Sequence, residues 1–104
     1  MQTKTTTFPL STIGSYPERV LRKPEVLKVT GLSSTVLYEQ TRGGLFPTSM
    51  ALGSRAIGYL SSEITAIVTA RAAGYDDERI RELVKLLMQK RKESASALMS
   101  SLVA

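Results

Sequence analysis

Six basic side chains, Arg19, Arg22, Lys23, Lys28, Arg42 and Arg55, crowd into residues 19–60, where only Glu25 and Glu39 oppose them. That block therefore carries +4 of the chain's formal +5. Cations gathered this way suit contact with a polyanion, whose phosphates they neutralise while releasing condensed counterions. In the same block Ser34, Thr35 and Tyr38 offer hydroxyls at a spacing that one helix face can present. Hydroxyls recognise hydrogen-bonding edges, whereas cations hold phosphates, so the block contains both a reading set and a holding set. The competing view is a solvated polar face that touches only water.

Composition excludes most other chemistry. The 104 residues include no His and no Cys, so disulfides, thiolate nucleophiles, metal or haem sites built on those ligands and Ser-His-Asp catalysis are ruled out. No acid, base and nucleophile converge along the sequence, and no catalytic residue, cofactor or metal ligand is assigned. No apolar run approaches the roughly 18 residues of a membrane span, and no stretch reads as a signal peptide. At 42% apolar and 22% charged residues, the chain reads as a small cytoplasmic globular domain, held at the nucleoid if it binds DNA.

These groups need elements to position them. Residues 1–18 are rich in Thr and Ser with no periodic apolar pattern, and read as a flexible arm. A short extended piece at 19–22 leads into a helix that accepts Pro24 in its first turn and ends at Gly31. Val26, Leu27 and Val29 form its apolar face. Ser33 caps a second helix, in which Val36 and Leu37 face inward while Ser34, Thr35, Tyr38 and Arg42 stay outside. Two short helices joined by a tight Gly turn make a helix-turn-helix, whose second helix would enter a major groove.

Residues 49–52 and 56–59 flank Gly53-Ser54 and predict a hairpin wing with Arg55 at its tip. Phe46 and Tyr59 are expected in the core, although Tyr38 has the alternative of tucking its ring beneath the wing. Ser61 or Ser62 would cap a third helix, with Glu63 favoured in its first turn by the helix dipole. Its core face is Leu60, Ile64, Ile67 and Val68. A fourth helix spans 77–93, basic at its end through Lys90, Arg91 and Lys92, after which four serines weaken helix propensity. Its stripe of Ile80, Leu83, Val84 and Leu87 is expected to mediate self-association, with packing against the third helix as the alternative.

Leu21-Arg22, the Gly31-Leu32-Ser33 turn, Tyr38, the Gly44-Leu45-Phe46-Pro47 bend, Leu52-Gly53-Ser54-Arg55, Gly58-Tyr59-Leu60 and Glu63 follow one another within residues 19–73. In combination this half of the chain resembles the AlpA-like phage and prophage regulators. Those are winged helix-turn-helix proteins, similar in fold to excisionases and to the DNA-binding half of MerR-type regulators. The resemblance implies binding of double-stranded DNA that controls transcription, often of an integrase gene, or directs recombination toward excision. An integrase or another phage protein would then be a partner. Ser34 and Glu39 stand where the family usually carries cations, Ser49 where a second proline is common, and Tyr59 where Trp is more usual.

With those two cations missing, phosphate holding falls to Arg22, Lys23, Arg42, Ser54 and Arg55, and base reading to Ser34, Thr35 and Tyr38. The same loss favours the alternative function, a protein-interaction adaptor or anti-regulator that keeps the fold. The expected fold is mainly α: a winged helix-turn-helix with a small β-hairpin wing and an added C-terminal helix. Its expected division is an arm at 1–18, a DNA-binding domain at 19–74, and an amphipathic helix and tail at 75–104. One reading helix covers few base pairs, so a homodimer or a cooperative oligomer on DNA is expected.

Overall fold

In the computed structural model, which describes residues 18–103, strand β1 (Val20–Leu21) leads into helices α1 (Lys23–Thr30) and α2 (Ser34–Arg42). The hairpin β2 (Met50–Ala51) and β3 (Ile57–Leu60) follows, then α3 (Ser61–Ala72) and α4 (Asp77–Val103). Of the expected arm, only Glu18 falls within the described residues. α1 ends at Gly31, whose φ of 74° lies in the left-handed region that glycine occupies without strain. Ser33 then caps α2, its Oγ accepting the Val36 N–H at 3.2 Å. Helix, glycine turn, helix and hairpin make a winged helix-turn-helix, to which α4 is added.

The wing is not a lone hairpin. β3 lies at the centre of a three-stranded antiparallel sheet, between β1 and β2. Val20 sits opposite Leu60 and Leu21 opposite Tyr59, while Met50 faces Gly58 and Ala51 faces Ile57. The extended piece expected at 19–22 is thus a third strand, which a two-residue element has no periodicity to announce. Its pairing supplies what a marginal two-stranded hairpin lacks. Gly58 makes the closure possible, because a Cβ there would lie 2.5 Å from Val20 Cγ1 and 2.9 Å from Leu52 Cδ1.

The core joins β1, β3 and the four helices. It contains Leu21, Val26, Leu37, Phe46, Tyr59, Ile64, Ile67, Ala70, Ile80 and Val84. Phe46 meets Tyr59 edge-on, with centroids 6.2 Å apart, so both aromatics are core as expected. Val68 is exposed, and Ala70 takes the inward place on α3 that had been expected for it.

α4 departs from expectation twice. Ile80 is 0% and Val84 7% exposed, and Leu83 and Leu87 pack partly buried against the same core. The stripe expected to mediate self-association is therefore covered by its own domain. α3 offers Ile64, Ile67 and Ala70 one short connection away, and an intramolecular contact loses no translational freedom. Nor does the helix stop at Glu93, since α4 runs on to Val103. Ala95, Ala97, Leu98, Met99 and Leu102 carry helix propensity enough to outweigh the serines between them.

The start of α3 is capped from a distance. Ser61 and Ser62 do not close their own helix; instead Glu18 accepts the Ser62 N–H at 2.8 Å and the Ser61 and Ser62 hydroxyls at 2.8 and 2.6 Å. Burial works to raise the Glu18 pKa, but the bonds from Ser62 and Ser61 outweigh it and hold the carboxyl below its ordinary 4.5. A folded-state pKa below the unfolded one contributes stability that is complete above the unfolded value and disappears as pH falls through the folded value. Glu18→Gln should therefore unfold more easily in urea at pH 7. It should also lose less stability than the parent between about pH 5 and pH 3; an unchanged acid limb would refute the cap.

Candidate nucleic-acid interface

α2 is divided lengthwise. Leu37, 2% exposed, fixes which side faces the core, and the Thr41 hydroxyl turns inward to donate to the Leu37 carbonyl at 2.8 Å. Ser34, Thr35, Tyr38 and Arg42 are left on the exposed side. Tyr38 is 63% exposed, so its ring does not tuck beneath the wing. The Arg42 guanidinium lies 5.8 Å from that ring's centroid, within reach of a cation–π contact. Among the described residues, the hydroxyls of Ser34, Thr35 and Tyr38 have no hydrogen-bond partner.

The expected holding groups come from three elements. Arg22 is exposed at the N-cap of α1, and Lys23, half-buried, begins that helix. Arg42 ends α2. Ser54 and Arg55 are exposed in the wing turn, which the Leu52 N–H closes on the Ala56 carbonyl at 2.8 Å. Arg19, by contrast, is engaged by Glu25 at 3.2 Å. The structure therefore gathers Ser34, Thr35, Tyr38 and Arg42 on one helix face, and leaves Arg22, Lys23 and Arg55 on two flanking elements.

Two arginines beyond the basic block hold these elements from behind. Arg81 Nε donates to the Gly43 carbonyl at 3.0 Å, tying the end of α2 to α4. Arg91 grips Glu63 with a fork of 2.6 and 2.8 Å, and its Nη2 also donates to the Thr48 carbonyl at 2.6 Å. Thr48 lies just ahead of β2, so the base of the wing hangs from α4. Sequence reasoning missed both roles, assigning Glu63 to the dipole at the start of α3 and Arg91 to a basic helix end that complements the dipole of α4. One signal was present: Arg91 falls on the same helical face as Ile80, Val84 and Leu87, where a cation needs a partner.

The arrangement can present donors and cations to an external surface. Among the described residues, no group of three or more acidic side chains is placed to hold a metal ion. No helix is long and apolar enough to cross a membrane.

Comparison with known proteins finds likeness in this same half of the chain. Residues 19–76 match the family model described as Prophage CP4-57 regulatory protein (AlpA). Uncharacterized protein ORF88 of Enterobacteria phage P4 is 46% identical over 57 residues, which is 55% of this chain and 65% of that protein. The chain thus spans less than two thirds of that relative's length. No solved structure matches it.

Arg91→Ala would strand the Glu63 carboxylate, which is 4% exposed. Losing one partner of a buried pair costs about 3–5 kcal/mol, whereas replacing both with apolar residues is often neutral. Urea denaturation should therefore show a large loss for Arg91→Ala and recovery of most of it in Glu63→Leu/Arg91→Met. Equal loss in both variants would mean that packing, not charge, sets the cost.

Proposed function

The chain belongs to the AlpA family of prophage regulatory proteins, and from that membership we propose that it binds double-stranded DNA sequence-specifically as a regulator of phage or mobile-element type. Ser34, Thr35 and Tyr38 read base edges in the major groove, while Arg22, Lys23, Arg42, Ser54 and Arg55 hold phosphates and fix the register. The observation that carries this reading is the division of α2, with Leu37 buried and Tyr38 63% exposed beside the Arg42 guanidinium. Hydroxyls without a partner among the described residues are free to meet edges outside the domain. The concentration of positive charge in residues 19–60 supports the same conclusion.

On this reading the protein works at the nucleoid and controls transcription, for example of an integrase gene, or biases recombination toward excision beside an integrase. No catalytic step is required of it. One observation favours a second reading. Glu39 is exposed on α2 near the reading residues, and a carboxylate there suits an adaptor that recognises a protein surface.

Fluorescence anisotropy with duplex DNA at several salt concentrations separates the two. With the four cations Arg22, Lys23, Arg42 and Arg55 each neutralising a phosphate, log K should fall with log[salt] at a slope of roughly −3.5 to −4. Thr35→Ala and Tyr38→Phe should change site preference, each costing on the order of 1–3 kcal/mol at the cognate site. Arg55→Ala should weaken cognate and random DNA alike and reduce the slope by about one. No binding to any duplex at low salt would leave the adaptor.

A further inference from the structure

The core-facing side of α4 continues past the point where the domain ends. Ile80, Val84, Leu87 and Arg91 lie along one face, and Ala95, Leu98 and Leu102 extend that face at the same alternation of threes and fours. Arg91, through Glu63 and Thr48, makes the last contact of α4 with the body among the described hydrogen bonds. From Lys92 to Val103 every residue is exposed. Leu98 is 57%, Met99 60%, Leu102 71% and Val103 79% exposed. Twelve residues make about 18 Å of helix whose side chains are all left exposed.

We propose that residues 95–103 of α4 pair with the same segment of a second copy of this chain, across a two-fold axis near Leu98. Charge argues for that occupant. Residues 94–103 contain no charged side chain, so two copies approach without repulsion, and a charged partner finds nothing to recognise. Ala95 and the flanking Ser94 and Ser101 are small enough for close helix contact. Leu98 lies near the middle of the stripe, so it meets its own counterpart whichever way the helices run.

Area sets the strength. The four large side chains offer roughly 100 Å² of apolar surface each, or on the order of 1,000 Å² for the pair with their surroundings. Stable specific interfaces begin near 1,200 Å². The result is a weak dimer, strengthened where adjacent DNA sites raise the effective concentration. Only that strengthening rests on the proposed DNA binding; the pairing does not.

Sedimentation of the full chain without DNA, from about 5 to 500 μM, tests it. The apparent mass should climb from 11.3 kDa toward double that value, and Leu98→Glu/Leu102→Glu should stay monomeric throughout. Both residues are exposed, so an unchanged urea midpoint shows that the body of the variant is intact. Because the chain has no Cys, Leu98→Cys should also oxidise to a covalent dimer well in excess of that from Glu82→Cys on the outer face. A parent chain that is monomeric at about 500 μM, with no such excess, overturns the proposal and leaves the stripe to a different chain. A dimer that survives in the double variant overturns it too, by placing the contact elsewhere.

Discussion

A carboxylate enters the core of a small domain only if something replaces its lost hydration, and Glu63 sits there at 4% exposure. Arg91 makes that replacement with a bidentate fork, and its Nη2 also donates to the Thr48 carbonyl. Such a pair adds little net stability compared with two apolar residues of similar volume. What it does is penalise every arrangement that separates the charges. Sliding α4 by one turn along α3 would keep apolar surface covered but would strand both ions. The pair therefore selects one register for α4, and through Thr48 it sets the height of the wing.

Both elements proposed to face DNA inherit their positions from that choice. α2 ends where Gly44 adopts a φ of 76°, and Arg81 fastens the preceding carbonyl. The wing begins two residues after Thr48. One helix thus ties down both the end of α2 and the base of the wing. With those two ends fixed, Ser34, Thr35, Tyr38 and Arg42 on α2 and Ser54 and Arg55 on the wing stay exposed, beside the apolar Val36, Leu52 and Ile57.

Elements whose signal is local were legible in the sequence. Gly31 and Ser33 mark the turn by their own backbone and side-chain chemistry, and Leu37 dictates which residues of α2 point outward. Interactions that join distant positions were not legible. β1 has two residues and pairs across about forty others, and Glu18 caps α3 across 43 and 44. The Ile80–Leu87 stripe announces that one face must be buried but not against what. Its own α3 was the nearer partner, and the helix continues into a stretch where the serines only weakened its propensity. Of the candidate interface, exposure of the reading residues followed from the helical period, while Arg81 and Arg91 needed the fold.

The stretch matched by the family model stops at residue 76, yet the core does not. Ile80 and Val84 cover Ile64, Ile67 and Ala70, and the counter-charge for Glu63 lies at position 91. Residues 19–76 alone would expose an apolar face of α3 and leave a buried carboxylate unpaired, two penalties that a small domain with a few kcal/mol of stability cannot absorb. In this chain the proximal half of α4 therefore belongs to the same folding unit as the helix-turn-helix. Arg91 also marks a boundary along the helix, because a charge at that point of the stripe forces the body to end its packing there. Beyond it Leu98 and Leu102 are exposed and, among the described residues, lie outside the core, so that end of α4 can change what it meets without moving the wing or α2.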